Sequence, residues 1–193
     1  MSTPPRATAG RPRNATIDRE VLDAALDELA TKGYAAFSIA SVAEAAGTTR
    51  PAVYRRWEDK TALVVDAVAR LAETEPPVPT GDPYGDLVAE LEDFAHCITE
   101  AGALPLAGLV LAQQVDSAVR DAYLERVVGP RRARIADVLQ RGIAGGQLRR
   151  DADLEVAGTF LTGSWYAIHV AGGSVPVDWA SRVAGLVWAA CRG

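Results

Sequence analysis

Residues that commonly carry metal, redox or nucleophilic chemistry are scarce in this 193-residue chain, which has two cysteines and two histidines. Cys97 and Cys191 cannot form a disulfide scaffold, and the sequence has no CxxC motif and no Cys/His array with the spacing of a zinc site. We therefore expect no metal and no cofactor. The low cysteine usage indicates a reducing compartment.

Motifs of the common hydrolases and nucleotide-binding enzymes are also missing: there is no GxSxG, no HExxH and no glycine-rich phosphate loop. His96 and Cys97 are adjacent, but neighbouring helical residues point about 100° apart and cannot easily share a ligand. We interpret them as a buried cysteine beside a hydrogen-bonded histidine. The sequence does not indicate an enzyme.

Signals for export or membrane insertion are weak. The first 16 residues have no apolar core of the kind that a secretory signal requires. Residues 156–177 carry no Asp, Glu, Lys or Arg and are long enough to span a bilayer, but Gly172, Gly173, Ser174 and Pro176 interrupt them. We expect a helix buried in a protein interface rather than a membrane span, and a cytoplasmic protein.

Charge is unevenly divided along the chain. Residues 1–57 hold eight Lys/Arg and six Asp/Glu, a net charge of +2, and residues 58–193 hold the other 12 and 19, a net charge of −7. A basic end on an acidic protein is expected where one end meets a polyanion. Arg6, Arg11 and Arg13 precede the first acid, Asp18, and form either a cationic arm or a tail that aids solubility.

Apolar residues recur at helical spacing along the N-terminal part, and sustained period-two alternation is not found. The first helix is predicted to begin at an N-cap, Thr16, and to stop at Lys32-Gly33. A second runs from Ser38 to about Ala46. Gly47 then permits a sharp turn into a third, from Thr49 to Trp57, and Asp59 caps a fourth.

The remainder is predicted to be helical as well. A stripe of Leu87, Leu91, Phe94 and Ile98 lies opposite Asp86, Glu90 and Asp93, which we interpret as a solvated acidic face. The nearly uncharged residues 103–115 are predicted to be buried, and the helix over 117–145 to break at Gly129-Pro130. Asp153 and Asp178 are predicted to cap the last two helices.

Two short helices joined at Gly47 match a helix-turn-helix, whose second helix enters the DNA major groove. Thr49, Arg50 and Ala52 begin that helix and are suited to base edges, whereas Tyr54, Arg55 and Arg56 end it and are suited to phosphates. Val53 and Trp57 are four residues apart and are predicted to face inward.

Residues 33–60, GYAAFSIASVAEAAGTTRPAVYRRWEDK, resemble the DNA-binding domain of the TetR/AcrR family of bacterial repressors. The likeness covers about residues 15–71, and PRRARIADVLQRGIAGGQLRRDADLE more loosely resembles the ligand-binding domain of one subgroup. The resemblance implies an all-α protein: a flexible basic arm (1–14), a three-helix helix-turn-helix domain (15–60) and a helical effector-binding and dimerisation domain (61–193). It also implies a homodimer on a palindromic operator, released by a small molecule.

The resemblance further implies roles for single residues. Ser38 caps the second helix beside a phosphate, and Arg50 reads a base. Phosphate-contacting positions are taken by Tyr54, Arg55, Arg56 and Lys60. The sequence departs from the common family pattern at Arg55-Arg56-Trp57, where aromatic-histidine-phenylalanine is frequent. The complete candidate DNA-binding set is Arg11, Arg13, Ser38, Thr48, Thr49, Arg50, Ala52, Tyr54, Arg55, Arg56 and Lys60.

A candidate ligand pocket in the C-terminal part consists of Phe94, Gln113, Trp165, Tyr166 and His169. The alternatives are that Trp165 and His169 belong to a dimer interface and that Gln113 and Gln114 face solvent. The last two helices are expected to form that interface through Leu154, Leu161, Trp165, Val183, Val187 and Cys191.

Two other functions compete with a ligand-responsive regulator. The first is a helical small-molecule-binding or catalytic protein whose N-terminal hairpin is only structural. The second is an architectural DNA binder without an effector. The crowding of Arg50, Tyr54, Arg55 and Arg56 on one short helix disfavours the first, and the length of residues 58–193 disfavours the second.

Overall fold

A computed structural model describes residues 15–71, 75–99 and 103–193, and it confirms the expected all-α class for them. Arg11 and Arg13 lie outside the described residues. The helices are α1 (Ala15–Ala36), α2 (Ile39–Ala45), α3 (Arg50–Tyr54), α4 (Lys60–Arg70), α5 (Pro83–Thr99), α6 (Ala103–Leu111), α7 (Ser117–Tyr123), α8 (Gly129–Ala144), α9 (Leu154–Val170) and α10 (Trp179–Cys191).

The first helix departs from the sequence-based prediction at one end and confirms it at the other. Ala15 is already helical, so Thr16 is not an N-cap. At the predicted stop, Gly33 has φ 72° and ψ 170°, outside the helical region. Glycine adopts positive φ without steric cost, which allows the chain to bend and continue for one short turn to Ala36.

Side-chain caps define the three short connections that follow. Ser38 Oγ accepts from the Ser41 N–H at 3.5 Å, Thr49 Oγ1 from the Ala52 N–H at 3.4 Å, and Asp59 Oδ1 from the Ala62 N–H at 2.8 Å. Each satisfies a donor that the first turn of a helix leaves unpaired, as the sequence predicted. The third helix ends at Tyr54, however, three residues before the predicted Trp57.

The acidic face predicted on α5 is wrong. Asp86 and Glu90 are 5% and 4% exposed. Arg141 Nη1 donates to Asp86 at 2.7 Å, Arg134 Nε to Glu90 at 2.8 Å, and Arg131 Nη2 to Asp93 at 2.7 Å. These arginines occupy one face of α8, which packs against α5, so the charges compensate one another in the interior.

The uncharged segment 103–115 is only partly buried, contrary to expectation. Leu106 and Ala107 are buried against the core, whereas Leu111, Gln113 and Gln114 are exposed. The interruption predicted near Gly129-Pro130 is a local change of helical geometry: the chain is helical from Ser117 to Ala144, and α7 passes through a single π-helical turn, Leu124–Val128, before α8 begins at Gly129. Proline lacks an N–H and is therefore tolerated in the first turn of α8.

The predicted apolar face of the last two helices is turned inward. Leu161, Trp165, Val187 and Cys191 are buried within the chain. The exposed apolar residues lie at other positions of the same helices, namely Val156, Phe160, Val170 and Leu186. Among Asp, Glu, Lys and Arg, α9 holds only Glu155 and α10 only Arg182, so neither helix has a charged face that shows its orientation. The sequence analysis therefore predicted the helices correctly but assigned the wrong side of them to the interface.

The caps and hydropathy of these two helices were predicted with mixed success. Asp153 Oδ1 accepts from the Val156 N–H at 3.0 Å and caps α9. Asp178 precedes α10, but its carboxylate makes no cap hydrogen bond and instead lies 3.6 Å from Arg182 Nη1. Within the described residues, no helix combines the length and apolar character needed to cross a membrane.

Candidate nucleic-acid interface

The outward face of α3 presents Arg50 and Tyr54 together. Both are exposed, and they lie four residues apart, one helical turn along the same face. The guanidinium carbon of Arg50 is 5.5 Å from the centroid of the Tyr54 ring, and Arg50 Nη2 donates to the Tyr54 hydroxyl at 3.4 Å. The ring and the hydroxyl of Tyr54 thus hold the Arg50 guanidinium on the exposed face of α3.

The residues around the turn hold α3 in place and also offer hydroxyl groups. Thr49 is exposed, and Ser38 is half-buried at the start of α2. Both hydroxyls accept a backbone hydrogen bond, so each retains its own proton for an acceptor such as a phosphate oxygen. Thr48 is half-buried, and its N–H closes the turn on the Ala43 carbonyl at 2.8 Å.

Ala52 does not lie where the sequence analysis placed it. Its side chain is buried, on the inner side of α3 with Val53 and Trp57. The methyl group therefore packs against the domain and is not presented to a base edge. The prediction that Val53 and Trp57 face inward is confirmed.

Three further cations predicted to contact phosphates differ in their surroundings. Arg55 is exposed, and its Nη1 donates to the Pro51 carbonyl at 3.4 Å. Arg56 is paired with Asp18 of α1, and its Nη1 donates to the Ala52 carbonyl at 3.2 Å. The Lys60 ammonium contacts the Tyr34 carbonyl oxygen and lies 4.0 Å from the Tyr34 ring centroid. Arg55 and Arg56 are both exposed residues and Lys60 is half-buried, and of the three Arg56 is the one paired with a carboxylate of the described chain.

The helix α4 is attached to α1 and to Trp57, which follows α3, by contacts that the sequence analysis did not predict. Trp57 Nε1 donates to Asp66 Oδ2 at 2.9 Å, and the Tyr34 hydroxyl lies 2.9 Å from Thr61 Oγ1. Arg70 Nε donates to Asp23 Oδ1 of α1 at 2.6 Å. The polar residues on the outer positions of α4 indicate that it makes polar contacts. The sequence does not identify the partners, because they lie outside α4.

Four of the five candidate pocket residues come together in the C-terminal part. Phe94 on α5 lies 6.2 Å from Trp165 and 5.8 Å from Tyr166 of α9, centroid to centroid, both edge to face. His169 stacks on Trp165 at 5.5 Å with an interplanar angle of 16°. Gln113 is exposed in the turn after α6, with φ 54°, so its assignment to the pocket is corrected to the solvent-facing alternative.

Two residues join this cluster that the sequence did not nominate. The Tyr123 hydroxyl hydrogen-bonds with that of Tyr166, and burial raises the pKa of both phenols. The guanidinium carbon of Arg131 lies 5.6 Å from the Phe94 centroid. Tyr123 is on α7, which packs against α4. The aromatic cluster is therefore connected through α7 to α4, the helix that contacts Trp57.

Comparison with protein families decides what this arrangement is. Residues 21–67 match the model for bacterial regulatory proteins of the tetR family, and residues 77–187 match the model for a tetracyclin repressor-like C-terminal domain. The chain belongs to the TetR family. It is a helix-turn-helix transcriptional regulator, of a family that binds operator DNA and small-molecule effectors and forms dimers.

Relatives agree with this assignment over most of their length. An uncharacterized HTH-type transcriptional regulator of Bacillus subtilis, YdeS, is 31% identical across 86% of this chain and 85% of its own. The DNA-binding transcriptional repressor TetR of Mycobacteroides abscessus is 30% identical across 75% of this chain and 77% of its own. A TetR regulator structure from Agrobacterium tumefaciens shares the fold, with a TM-score of 0.68, 24% identity and coverage of 92% and 93%.

Proposed function

We propose that this TetR-family protein is a repressor that binds a palindromic operator as a homodimer and is released by a small, largely apolar molecule. The observation that carries the proposal is the outward face of α3, where Arg50, Tyr54 and Arg55 are exposed while the inner face packs on the domain. The relative from Mycobacteroides abscessus is named a repressor, which supports the same direction of control.

On DNA, α3 occupies the major groove. Arg50 contacts a base edge, because its guanidinium projects from the first turn of the recognition helix. Tyr54, Arg55 and Ser38 contact flanking phosphates, and Thr49 lies at a base edge beside Arg50. The ammonium group of Lys60, which lies beside the Tyr34 ring, adds a further phosphate contact. Arg11 and Arg13 add contacts from the N-terminal arm. A regulator that works on bacterial operator DNA acts in the cytoplasm.

The dimer forms through the outer face of α9 and α10. Phe160 and Leu186 are 65% and 72% exposed, and with Val156 they border a depression of about 310 Å³ between the two helices. A second copy covers this apolar surface and places the recognition helices about 34–36 Å apart, in successive major grooves.

The effector binds at the aromatic cluster of Phe94, Tyr123, Trp165 and Tyr166, with His169 at its exposed end. A molecule inserted there displaces Tyr123 and hence α7, which packs on α4. Trp57 and Tyr34 link α4 to the end of α3 and to α1. A shift of α4 therefore changes the separation of the two recognition helices of the dimer. A coupling of about 1–3 kcal/mol is typical of such regulation.

Footprinting on the DNA upstream of the protein's own gene, with and without candidate ligands, tests the proposal. The expected result is a protected palindrome with half-sites about one helical turn apart, and loss of protection with a ligand. Sedimentation of the same sample must show a dimer. A monomer that binds the ligand but no DNA would instead support the helical ligand-binding protein with a merely structural hairpin.

A further inference from the structure

Arg56 is the one cation of the candidate DNA-binding set that the described part of the chain shows in an ion pair. Its guanidinium contacts Asp18 in the first turn of α1, and the side chains of Arg56 and Asp18 are 28% and 33% exposed. Its Nη1 also donates to the Ala52 carbonyl at 3.2 Å. The side chain is therefore folded back along α3 toward the start of α1.

We propose that Asp18 is a positioning residue that withholds Arg56 from the DNA backbone and so limits sequence-independent binding. The inference rests on the proposed operator binding. Arg56 and Asp18 form a pair without net charge at the edge of the outward face of α3. Arg56 therefore brings little net charge to a phosphate. A phosphate that recruits Arg56 must compete with a carboxylate that is already in contact.

The neighbouring arginine is a built-in comparison. Arg55 differs from Arg56 by one position and both residues are exposed, but Arg55 Nη1 donates to the neutral Pro51 carbonyl, whereas Arg56 contacts the Asp18 carboxylate. A cation that neutralises a phosphate releases condensed counterions, and each such contact steepens the dependence of log K on log salt by about 0.9. Arg55 should carry this increment, and Arg56 should carry it only when Asp18 is removed.

Suppression of Arg56 has a consequence for specificity. Phosphate contacts strengthen binding to every sequence, whereas base contacts by Arg50 strengthen binding to the operator. A genome offers a large excess of non-specific sites, which compete for the protein. By holding back one phosphate contact, Asp18 reduces the fraction of protein bound to those sites.

The test measures the salt dependence of full-length protein on a random 30-base-pair duplex by fluorescence anisotropy. We expect Asp18→Asn to steepen the slope by about one unit and to tighten binding about fivefold at ~0.15 M salt, the effect of one added contact. Asp18→Glu should match the wild type. Asp23→Asn is the matched control, because it neutralises another paired carboxylate of α1, the partner of Arg70, and should change affinity less than about twofold.

Two further variants separate the pair from a general charge effect. In the Arg56→Ala background, Asp18→Asn should produce no tightening, since the side chain that it releases is gone. Arg56→Ala alone should leave the slope nearly unchanged, whereas Arg55→Ala should flatten it by about one unit. This second comparison keeps Asp18 intact and decides the matter even if Asp18→Asn destabilises α1.

Three results would overturn the inference: Asp18→Asn behaving like Asp23→Asn, Asp18→Asn tightening binding without Arg56, or Arg56→Ala losing a full unit of slope. If any of these results is found while the wild-type protein binds both the random duplex and its operator, the inference fails but the proposed function is unaffected. A wild-type protein that binds neither duplex overturns the proposed function and the inference together.

Discussion

The arginines on the outward side of the recognition helix and those that α8 turns toward α5 have opposite uses. In the N-terminal domain, Arg50 and Arg55 project from α3 into solvent. In the C-terminal domain, Arg134 and Arg141 turn toward α5 and pair with Glu90 and Asp86, which are almost completely buried. Arg50 and Arg55 are available to bind a polyanion, whereas Arg134 and Arg141 are already paired with carboxylates of the protein.

The contrast shows why the charge of a segment does not by itself assign its role. The segment 50–56, which includes α3, and the helix α8 both hold several arginines and resemble basic patches in the sequence. The difference is made by carboxylates on a helix about forty or more residues away, which α8 meets and the outer face of α3 does not. Predictions that separate the two uses therefore change an arginine or its partner and measure both stability and DNA binding.

The largest expected effect is loss of the buried carboxylate of Asp86. Asp86→Ala removes the partner of Arg141 and the acceptor of the Thr80 N–H and hydroxyl, at 2.8 and 2.7 Å. Breaking a buried pair costs about 3–5 kcal/mol, and partial exposure of Arg141 places the expected loss near about 3 kcal/mol. Urea unfolding measures it.

Asp137→Ala is the control for that variant. Asp137 contacts the same Arg141 at 3.1 Å, but it is exposed and lies one turn away on the same helix. Exposed pairs of this kind contribute about 0.3–0.5 kcal/mol. Equal losses from Asp86→Ala and Asp137→Ala would mean that burial does not distinguish the two carboxylates, and the contrast between the domains would fail.

The next effect concerns a cation on the other side of the comparison. If Arg50 contacts a base edge as proposed, Arg50→Ala should weaken operator binding by about 1–3 kcal/mol and change binding to random DNA little. Its free energy of unfolding should stay within about 0.5 kcal/mol of wild type, since surface substitutions rarely do more. An unchanged ratio of operator to random affinity would show that α3 is oriented differently on DNA.

Acid sensitivity gives a smaller effect of defined sign. Burial alone would raise the pKa of Asp86, but hydrogen bonds from Thr80 and the Arg141 guanidinium outweigh it and lower the pKa to about 2. A carboxyl with a lower pKa in the folded state contributes stability above its ordinary pKa, near 4, and loses it as pH falls toward 2. Between those values wild type should lose more unfolding free energy than Asp86→Ala. Parallel pH curves would contradict this.

The smallest expected effect lies in the aromatic cluster. Tyr166→Phe removes only the hydroxyl that contacts Tyr123, so stability should change by about 1 kcal/mol or less. Operator binding without ligand should be unchanged, and the ligand-induced loss of binding should diminish. Tyr84→Phe is the control, since Tyr84 packs against Trp188 of α10. Equal responses of the two variants would remove Tyr166 from the effector site.

Four of the predicted helix caps, at Ser38, Thr49, Asp59 and Asp153, were correct and those at Thr16 and Asp178 were not, whereas interactions between distant residues were not predicted at all. The caps at Ser38, Thr49 and Asp59 follow from a polar side chain three residues before its donor, so the sequence contains both partners side by side. The burial of Glu90 depends on Arg134, 44 residues away. An acidic stripe has the same pattern whether water or arginine covers it.

The site residues show the same division. The exposure of Arg50 and the inward position of Val53 follow from helical spacing alone. The pairing of Arg56 with Asp18 and the approach of Tyr123 to Tyr166 depend on how separate helices pack, and no local pattern specifies that. The outer face of α9 was missed for a related reason, because Phe160 and Leu161 are equally apolar neighbours.

The most direct test replaces one arginine of each domain by alanine. For each variant it measures the salt dependence of DNA binding and the free energy of unfolding. Arg55→Ala should flatten the salt dependence of DNA binding by about one unit and leave the free energy of unfolding within about 0.5 kcal/mol of wild type. Arg134→Ala should cost at least about 2 kcal/mol of stability, because it leaves Glu90 buried without its partner, and should leave the salt dependence unchanged. If Arg134→Ala flattens the salt dependence as much as Arg55→Ala does, the arginines of the two domains do not have separate uses.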